Sequence, residues 1–114
     1  MFAVITDIHS NIEALEVVLA DIDRRGIKTI VCLGDIVGYG ANPKECIDLI
    51  IERAQYCICS NHDAAVFYEP FNFNIGAERA CYWTRQVLED EPNKAIRDRR
   101  WEFLGKLPPR LVYE

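Results

Sequence analysis

The chain carries no excess of positive charge: 18 Asp and Glu outnumber 13 Lys and Arg, for a formal net charge of -5 and a sequence pI near 5.0. Phosphate backbones and anionic membrane surfaces are neutralised by Lys and Arg, so this balance argues against a nucleic-acid patch or a membrane-surface role. Long apolar runs are also missing. The opening run, residues 2–6, stops at Asp7. That is too short for a signal peptide or a membrane span, and a cytoplasmic location is expected. Paired cysteine spacing is absent. Cys32, Cys46, Cys57, Cys59 and Cys81 are odd in number, fall mostly inside expected strands and helices, and lack the pattern of a zinc ribbon. They read as reduced core residues. There is no internal repeat, no low-complexity stretch, and no histidine after His62.

What is present suits one folded domain over residues 1–114, with 50% hydrophobic residues to build a core. Three short runs rich in Val and Ile, residues 2–6, 29–33 and 56–59, read as strands buried on both faces. Helical patterns fill the gaps. Ser10-Asn11-Ile12-Glu13 reads as a capping box with Ser10 as cap, followed by an apolar stripe of Ile12, Leu15, Leu19 and Ile22 and a stop at Gly26. Asn42-Pro43-Lys44-Glu45 repeats that start, with Ile47, Ile50, Ile51 and Ala54 on the buried side. Strand, helix, strand, helix, strand implies right-handed crossovers and a mainly parallel sheet flanked by helices, an α/β fold.

Residues 1–68 form the βαβαβ core of this reading. A break at Glu69-Pro70-Phe71-Asn72 separates it from a helical segment over 70–107. Two helices are expected there: Ile75 to Leu88, with Ala80, Trp83 and Val87 inward, and Pro92 to Leu104, with Ile96 and Phe103 inward. The charge run Arg97-Asp98-Arg99-Arg100 reads as a solvated helix face. Leu107-Pro108-Pro109-Arg110 is an extended spacer, and residues 111–114 read as the start of an unfinished strand.

Each of the three strands ends in a polar segment: Asp7-Ile8-His9, Gly34-Asp35 and Asn61-His62-Asp63. In a parallel sheet these emerge at one edge. Taken singly, each reads as a turn or an ordinary hydrogen-bonded pair. Together they are a donor set. Asp7 and His9, two residues apart, can offer oxygen and nitrogen to one cation, a mixture suited to Mn, Fe, Zn, Co or Ni rather than Ca. Asp35 can bridge to a second cation, and Asn61 can give that cation a neutral oxygen. His62 is left free to donate a proton or to hold a phosphate oxygen. Helix starts beside these loops favour an anion, so a small phosphorylated substrate is compatible with the acidic balance.

In order, Asp7-Ile8-His9-Ser10-Asn11, Gly34-Asp35-Ile36-Val37-Gly38-Tyr39-Gly40 and Asn61-His62-Asp63 resemble the calcineurin-like metallophosphoesterase superfamily, in particular its compact bacterial and archaeal phosphatase and phosphodiesterase branch. The resemblance implies two divalent metals, with Asp7 and His9 on the first, Asp35 bridging and Asn61 on the second. It also implies hydrolysis of a phosphomonoester or phosphodiester by a metal-held hydroxide, with His62 as the acid. Asn11, Tyr39 and Asp63 are expected on the substrate side or behind the ligands; Tyr39 reads equally well as a loop aromatic packed on its own turn.

Two serines depart from the family pattern, at positions 10 and 60. If position 60 is left-handed, as the family's Gly suggests, Ser60 is strained by about 1–2 kcal/mol. The further histidine-bearing segments of the family have no counterpart here. The chain is therefore expected to match the amino-terminal half of a four-layer αββα sandwich, with an incomplete second metal site. Its exposed apolar sheet would then be covered by a homo-oligomer or a partner chain. The rival reading is a non-catalytic half-domain that only binds a partner.

Overall fold

The computed structural model describes residues 1–112. Its elements run β1 (Phe2–Ile5), α1 (Ile12–Arg24), β2 (Thr29–Cys32), α2 (Pro43–Arg53), β3 (Tyr56–Cys57), α3 (Asn61–Phe67), α4 (Ile75–Glu89) and α5 (Lys94–Lys106). The fold is α/β. The strands form a parallel sheet in the order β1-β2-β3, with Phe2 opposite Thr29, Ile5 opposite Cys32, and Cys32 opposite Cys57. β2 is central, so the loops leaving all three carboxyl ends are neighbours.

One sheet face is covered rather than both. Ile5, Ile30 and Cys32 are buried beneath Leu15, Leu19 and Ile22 of α1 and Cys46, Ile47 and Ile50 of α2. The alternate residues Phe2, Val4 and Leu33 lie half exposed. The strands' lack of polar alternation thus marks a second apolar face, not helices on both sides. β3 is also shorter than expected. Ile58 N–H still donates to Cys32 O at 3.0 Å, but Cys59 N–H turns away to Pro108 O at 2.8 Å, so the spacer Leu107–Arg110 lies alongside. Leu111 and Val112 form no strand; the rest of that expected strand, Tyr113 and Glu114, lies outside the described residues.

Helix starts differ in their caps. Asn11, not Ser10, caps α1, its side-chain oxygen accepting from Ala14 N–H at 3.0 Å. Ser10 sits at φ +60, outside the extended conformation an N-cap takes, and its buried hydroxyl has no partner among the described residues. Asn42 precedes Pro43 of α2 as expected, yet its side chain bonds Glu45 Oε2 at 3.0 Å instead of a backbone amide.

The helices after the break pack against α2 and α3, but by other faces than the pattern suggested. In α4 the buried stripe is Ala77, Cys81, Thr84 and Leu88, one residue on from Ala80, Trp83 and Val87, and Trp83 stays half exposed. Thr84 tolerates burial because its hydroxyl donates to Ala80 O at 2.8 Å. In α5 the buried residues are Arg100 and Leu104; Phe103 is only partly buried and Ile96 is exposed.

Arg100 overturns the reading of the charge run as solvated. Its guanidinium forks onto Asp48 of α2 at 3.0 and 2.8 Å and reaches Glu91 at 2.8 Å. A charge this buried persists only because both carboxylates compensate it. Arg100 in turn holds the Glu91 carboxyl below the usual glutamate range. Replacing Arg100 by Ala should cost about 1–3 kcal/mol in urea unfolding at neutral pH. Because the Glu91 value is lowered by folding, its contribution is present above the unfolded value and lost on acidification. The difference between wild type and R100A should therefore shrink below about pH 4.

Candidate metal centre

Backbone hydrogen bonds join the first two loops. Asp7 N–H donates to Gly34 O at 3.3 Å, His9 N–H to Asp35 O at 2.9 Å and Ser10 N–H to Ile36 O at 2.8 Å, extending the β1-β2 pairing past the strands. The third loop meets them at Gly34. A Cβ there would lie 2.6 Å from Ser60 N, and φ is +92. No other residue fits.

Asp63 binds the second and third loops together. Its Oδ2 accepts from Asp35 N–H at 2.7 Å and Ser60 N–H at 3.1 Å, and its Oδ1 from Ile36 N–H at 2.9 Å. Burial pushes this carboxyl up, against the three amides that hold it down. Asp35 Oδ1 in turn accepts from His62 N–H at 3.0 Å. Asp63 therefore fixes the backbone of Asp35, and the Asp35 side chain fixes the backbone of His62.

The polar segment after β3 is the first turn of α3 rather than a loop. Ser60 caps it at φ -112 and ψ -178, with Asp63 closing a capping box. That is extended backbone, so the expected left-handed strain at position 60 does not arise. Left-handed geometry falls instead on Asp7, His9, Ser10, Asp35 and Tyr39, with φ between +47 and +62. Each costs on the order of 1 kcal/mol and persists only where the surroundings dictate it.

Side chains converge on that strained ground. His9 Nδ1 lies 3.1 Å from Val37 O, a carbonyl that can only accept, so Nδ1 carries the proton. Nε2 then faces Asp7 Oδ1 at 3.3 Å and Asp35 Oδ2 at 4.0 Å. His62 Nδ1 lies 3.5 Å from Asp35 Oδ1. The ring of His62 is buried, and neither nitrogen has a hydrogen-bond partner among the described residues. Gly38 makes room for it: at φ +91, a Cβ would stand 2.7 Å from His62 Cδ2. Donor atoms of His9, Asp35 and His62 lie within 4.8 Å of one another. The Asp7 carboxyl is held below the usual aspartate range, first by the Thr6 hydroxyl at 2.9 Å and further by His9.

A family model for calcineurin-like phosphoesterases matches residues 1–110. The chain belongs to that family. It is 48% identical over 110 residues to an uncharacterized protein of Methanocaldococcus jannaschii, MJ0912, covering 95% of this chain and 42% of that protein. It is also similar to a crystal structure of a metallophosphoesterase from Sphaerobacter thermophilus. That match has a TM-score of 0.75 and 36% identity, and covers 98% of this chain and 43% of the other. The chain thus spans less than half the length of both relatives.

Membership of this phosphoesterase family implies divalent metal ions, and the donor set fits them. Imidazole nitrogen and carboxylate oxygen together suit borderline transition ions. A histidine engaged through Nδ1 by a backbone carbonyl and presenting Nε2, as His9 is, has the arrangement of a metal-ligating histidine. Two carboxylates facing its Nε2, and a buried histidine with idle nitrogens, call for a cation or proton between them.

Of the eight site residues the sequence singles out, the structure gathers Asp7, His9, Asp35 and His62 at one centre. Asp63 lies behind them as a backbone clamp. Asn61 is exposed at the start of α3, and its side-chain oxygen sits 3.4 Å from Ser60 Oγ. The Asn11 oxygen is engaged as a helix cap, although Asn11 still lines an open cleft with Asp7, His9 and Tyr39. Tyr39 does not pack merely on its own turn: its ring stands 5.1 Å from His9 and 4.8 Å from His62. Sequence reasoning missed Phe73, whose ring lies 4.9 Å from His62, and the Val37 carbonyl. Neither leaves a local signal. The Ser60/Asp63 capping box did leave one, a Ser three residues before an acid.

Asp63→Asn should cost about 1–3 kcal/mol, because an amide nitrogen cannot accept from the backbone donors left buried. Thermal unfolding reads the loss, and faster hydrogen exchange at the Asp35 and Ile36 amides locates it.

Proposed function

We propose that this chain serves the hydrolysis of a phosphomonoester or phosphodiester at a divalent-metal centre. The observation that carries the reading is the placement of His9, whose Nδ1 is engaged by Val37 O while its Nε2 faces two carboxylates on left-handed backbone. His9 and Asp35 would hold the first cation with Asp7 beside them, and Asp35 with Asn61 would contribute to a second. When bound, such cations supply Lewis acidity and neutralise charge on the phosphate oxygens. His62 holds or releases a proton toward the departing alcohol. Asp63 and Gly38 fix where its ring stands.

A second reading of His62 has its own support: its nitrogen lies close enough to His9 and Asp35 to be a third ligand of one cation. Manganese should raise the unfolding temperature of the wild type, with no effect on His9→Ala. Bis-p-nitrophenyl phosphate and p-nitrophenyl phosphate with added manganese test turnover and separate diester from monoester preference. If His62→Ala keeps the manganese-induced stabilisation and loses turnover by about 10²-fold or more, it acts as the acid. If it loses both, it is a ligand. Absence of turnover above His62→Ala would favour a half-domain that acts only by binding.

We also propose that a second copy of the chain covers the half-exposed apolar sheet face around Val4 and Leu33, because an apolar sheet face left in water favours association. Sedimentation equilibrium should show concentration-dependent association in the wild type and a monomer in Val4→Lys. All five cysteines are free, and no helix among the described residues is long and apolar enough to cross a membrane. Free thiols are the norm in a reducing compartment, which supports a cytoplasmic placement.

A further inference from the structure

Two of the five thiols share a register position. Cys32 of β2 stands opposite Cys57 of β3, the last aligned pair before both strands run into the loops of the candidate centre. Paired residues of neighbouring parallel strands point to the same side of a sheet, here the side covered by α1 and α2. Their thiols meet, each being the other's hydrogen-bond partner. Cys32 is fully buried, whereas Cys57 keeps part of its surface open. The other thiols lie elsewhere: Cys46 and Cys81 are buried on α2 and α4, and Cys59 turns to Ser60 O at 3.4 Å.

Contact between the two sulfurs changes their chemistry. The Cys57 S–H holds the Cys32 thiol below the usual cysteine range, helped by the Gly34 amide, while the same contact pushes the Cys57 thiol up. The pair thus gives up one proton readily and keeps the other between its sulfurs. Neighbouring strands lie about 4.8 Å apart, inside the Cα range that a disulfide spans but wider than its relaxed Cβ spacing of about 3.8 Å. A bond across this pair pinches the sheet, and strained disulfides of that kind are the easily reduced, reversible ones.

We propose that Cys32 and Cys57 form a reversible redox modification site, closed to a disulfide by a peroxide and reopened by a thiol. Cys57, the accessible member, passes its proton to Cys32, and its thiolate sulfur attacks one peroxide oxygen. The O–O bond breaks, hydroxide leaves and takes a solvent proton to become water, and Cys57 is left as a sulfenic acid. The Cys32 sulfur then bonds to it as the S–O bond breaks, and the Cys32 proton leaves with that hydroxide as a second water. Two electrons pass from the thiols to the peroxide. Gly34 and Ser60, where the loops touch, follow Cys32 and Cys57 closely in sequence, so the link clamps β2 to β3 directly beneath the candidate centre. It does not depend on the hydrolase reading.

The full chain, treated with a small excess of hydrogen peroxide, is blocked at its remaining thiols and cut by trypsin after Lys28, Lys44, Arg53 and Arg79. Mass spectrometry should find residues 29–44 joined to residues 54–79, lighter by two hydrogen atoms and separated again by dithiothreitol. Cys59→Ser should keep the link and Cys57→Ser should lose it. In the oxidised form, exchange at the Gln55 and Ile58 amides, which donate to Ile30 O and Cys32 O, should slow about tenfold. The proposal is overturned if no linked peptide forms, if the bond runs from Cys57 to Cys59 within one peptide, or if it joins two chains at doubled mass. It is equally overturned if Cys59→Ser loses the link, or if exchange at the two amides is unchanged. Should Cys57→Ser fail to fold, the wild-type peptide and Cys59→Ser decide.

Discussion

Everything at the sheet edge depends on one buried carboxylate. Asp63 takes the amide protons of Ser60, Asp35 and Ile36, and so joins two loops some 27 residues apart in sequence. In water these amides would hydrogen-bond to solvent. Inside the fold, a carboxylate accepting three of them offsets the cost of its own burial and defines one geometry for its donors. Asp35 then repeats the arrangement one step outward by holding the His62 amide. The two acids form a relay of position: the buried one has no exposed surface, and the outer one keeps an oxygen facing His9.

Such anchoring explains how left-handed backbone survives at five non-glycine residues in the first two loops. Each is locally unfavourable, and together they oppose folding by several kcal/mol, on the order of 1 kcal/mol apiece. The cross-loop bonds from Asp7, His9 and Ser10 and the Asp63 clamp leave the chain no easier path. The outcome is a set of nitrogen and carboxylate oxygen donors facing each other across a gap of a few ångströms. That is a favourable arrangement around a cation. Stability spent locally on strain therefore appears as a donor cluster already in place.

How much of this was legible in the chain differs by residue. The strand-end positions of Asp7, His9, Asp35 and His62 could be read because apolar runs and polar breaks are local, and a parallel sheet brings strand ends together. The faces of α4 and α5 could not. Thr84 and Arg100 are polar, and their burial depends on a carbonyl within α4 and on the carboxylates of Asp48 and Glu91. A pattern that scores hydrophobicity alone places Trp83 and Ile96 inward in their stead. Ser10 and Ser60 exchanged expected roles for a similar reason. Capping depends on backbone angles, and those were set by the contacts between loops.

By itself the sequence determined the order of strands and helices, the three polar segments and the kinds of donor atom they carry. These follow from short-range periodicity, turn chemistry and the obligate handedness of strand crossovers. Only the tertiary structure decided which nitrogen of His9 is presented, that His62 stands within reach of the same centre, and that Phe73 and Tyr39 enclose it. Those outcomes depend on partners such as the Val37 carbonyl and the Gly38 backbone, distant in sequence or invisible to side-chain pattern. Hydrogen-bond direction and close packing are properties of the assembled loops, and they exist only once the sheet has brought the loops together.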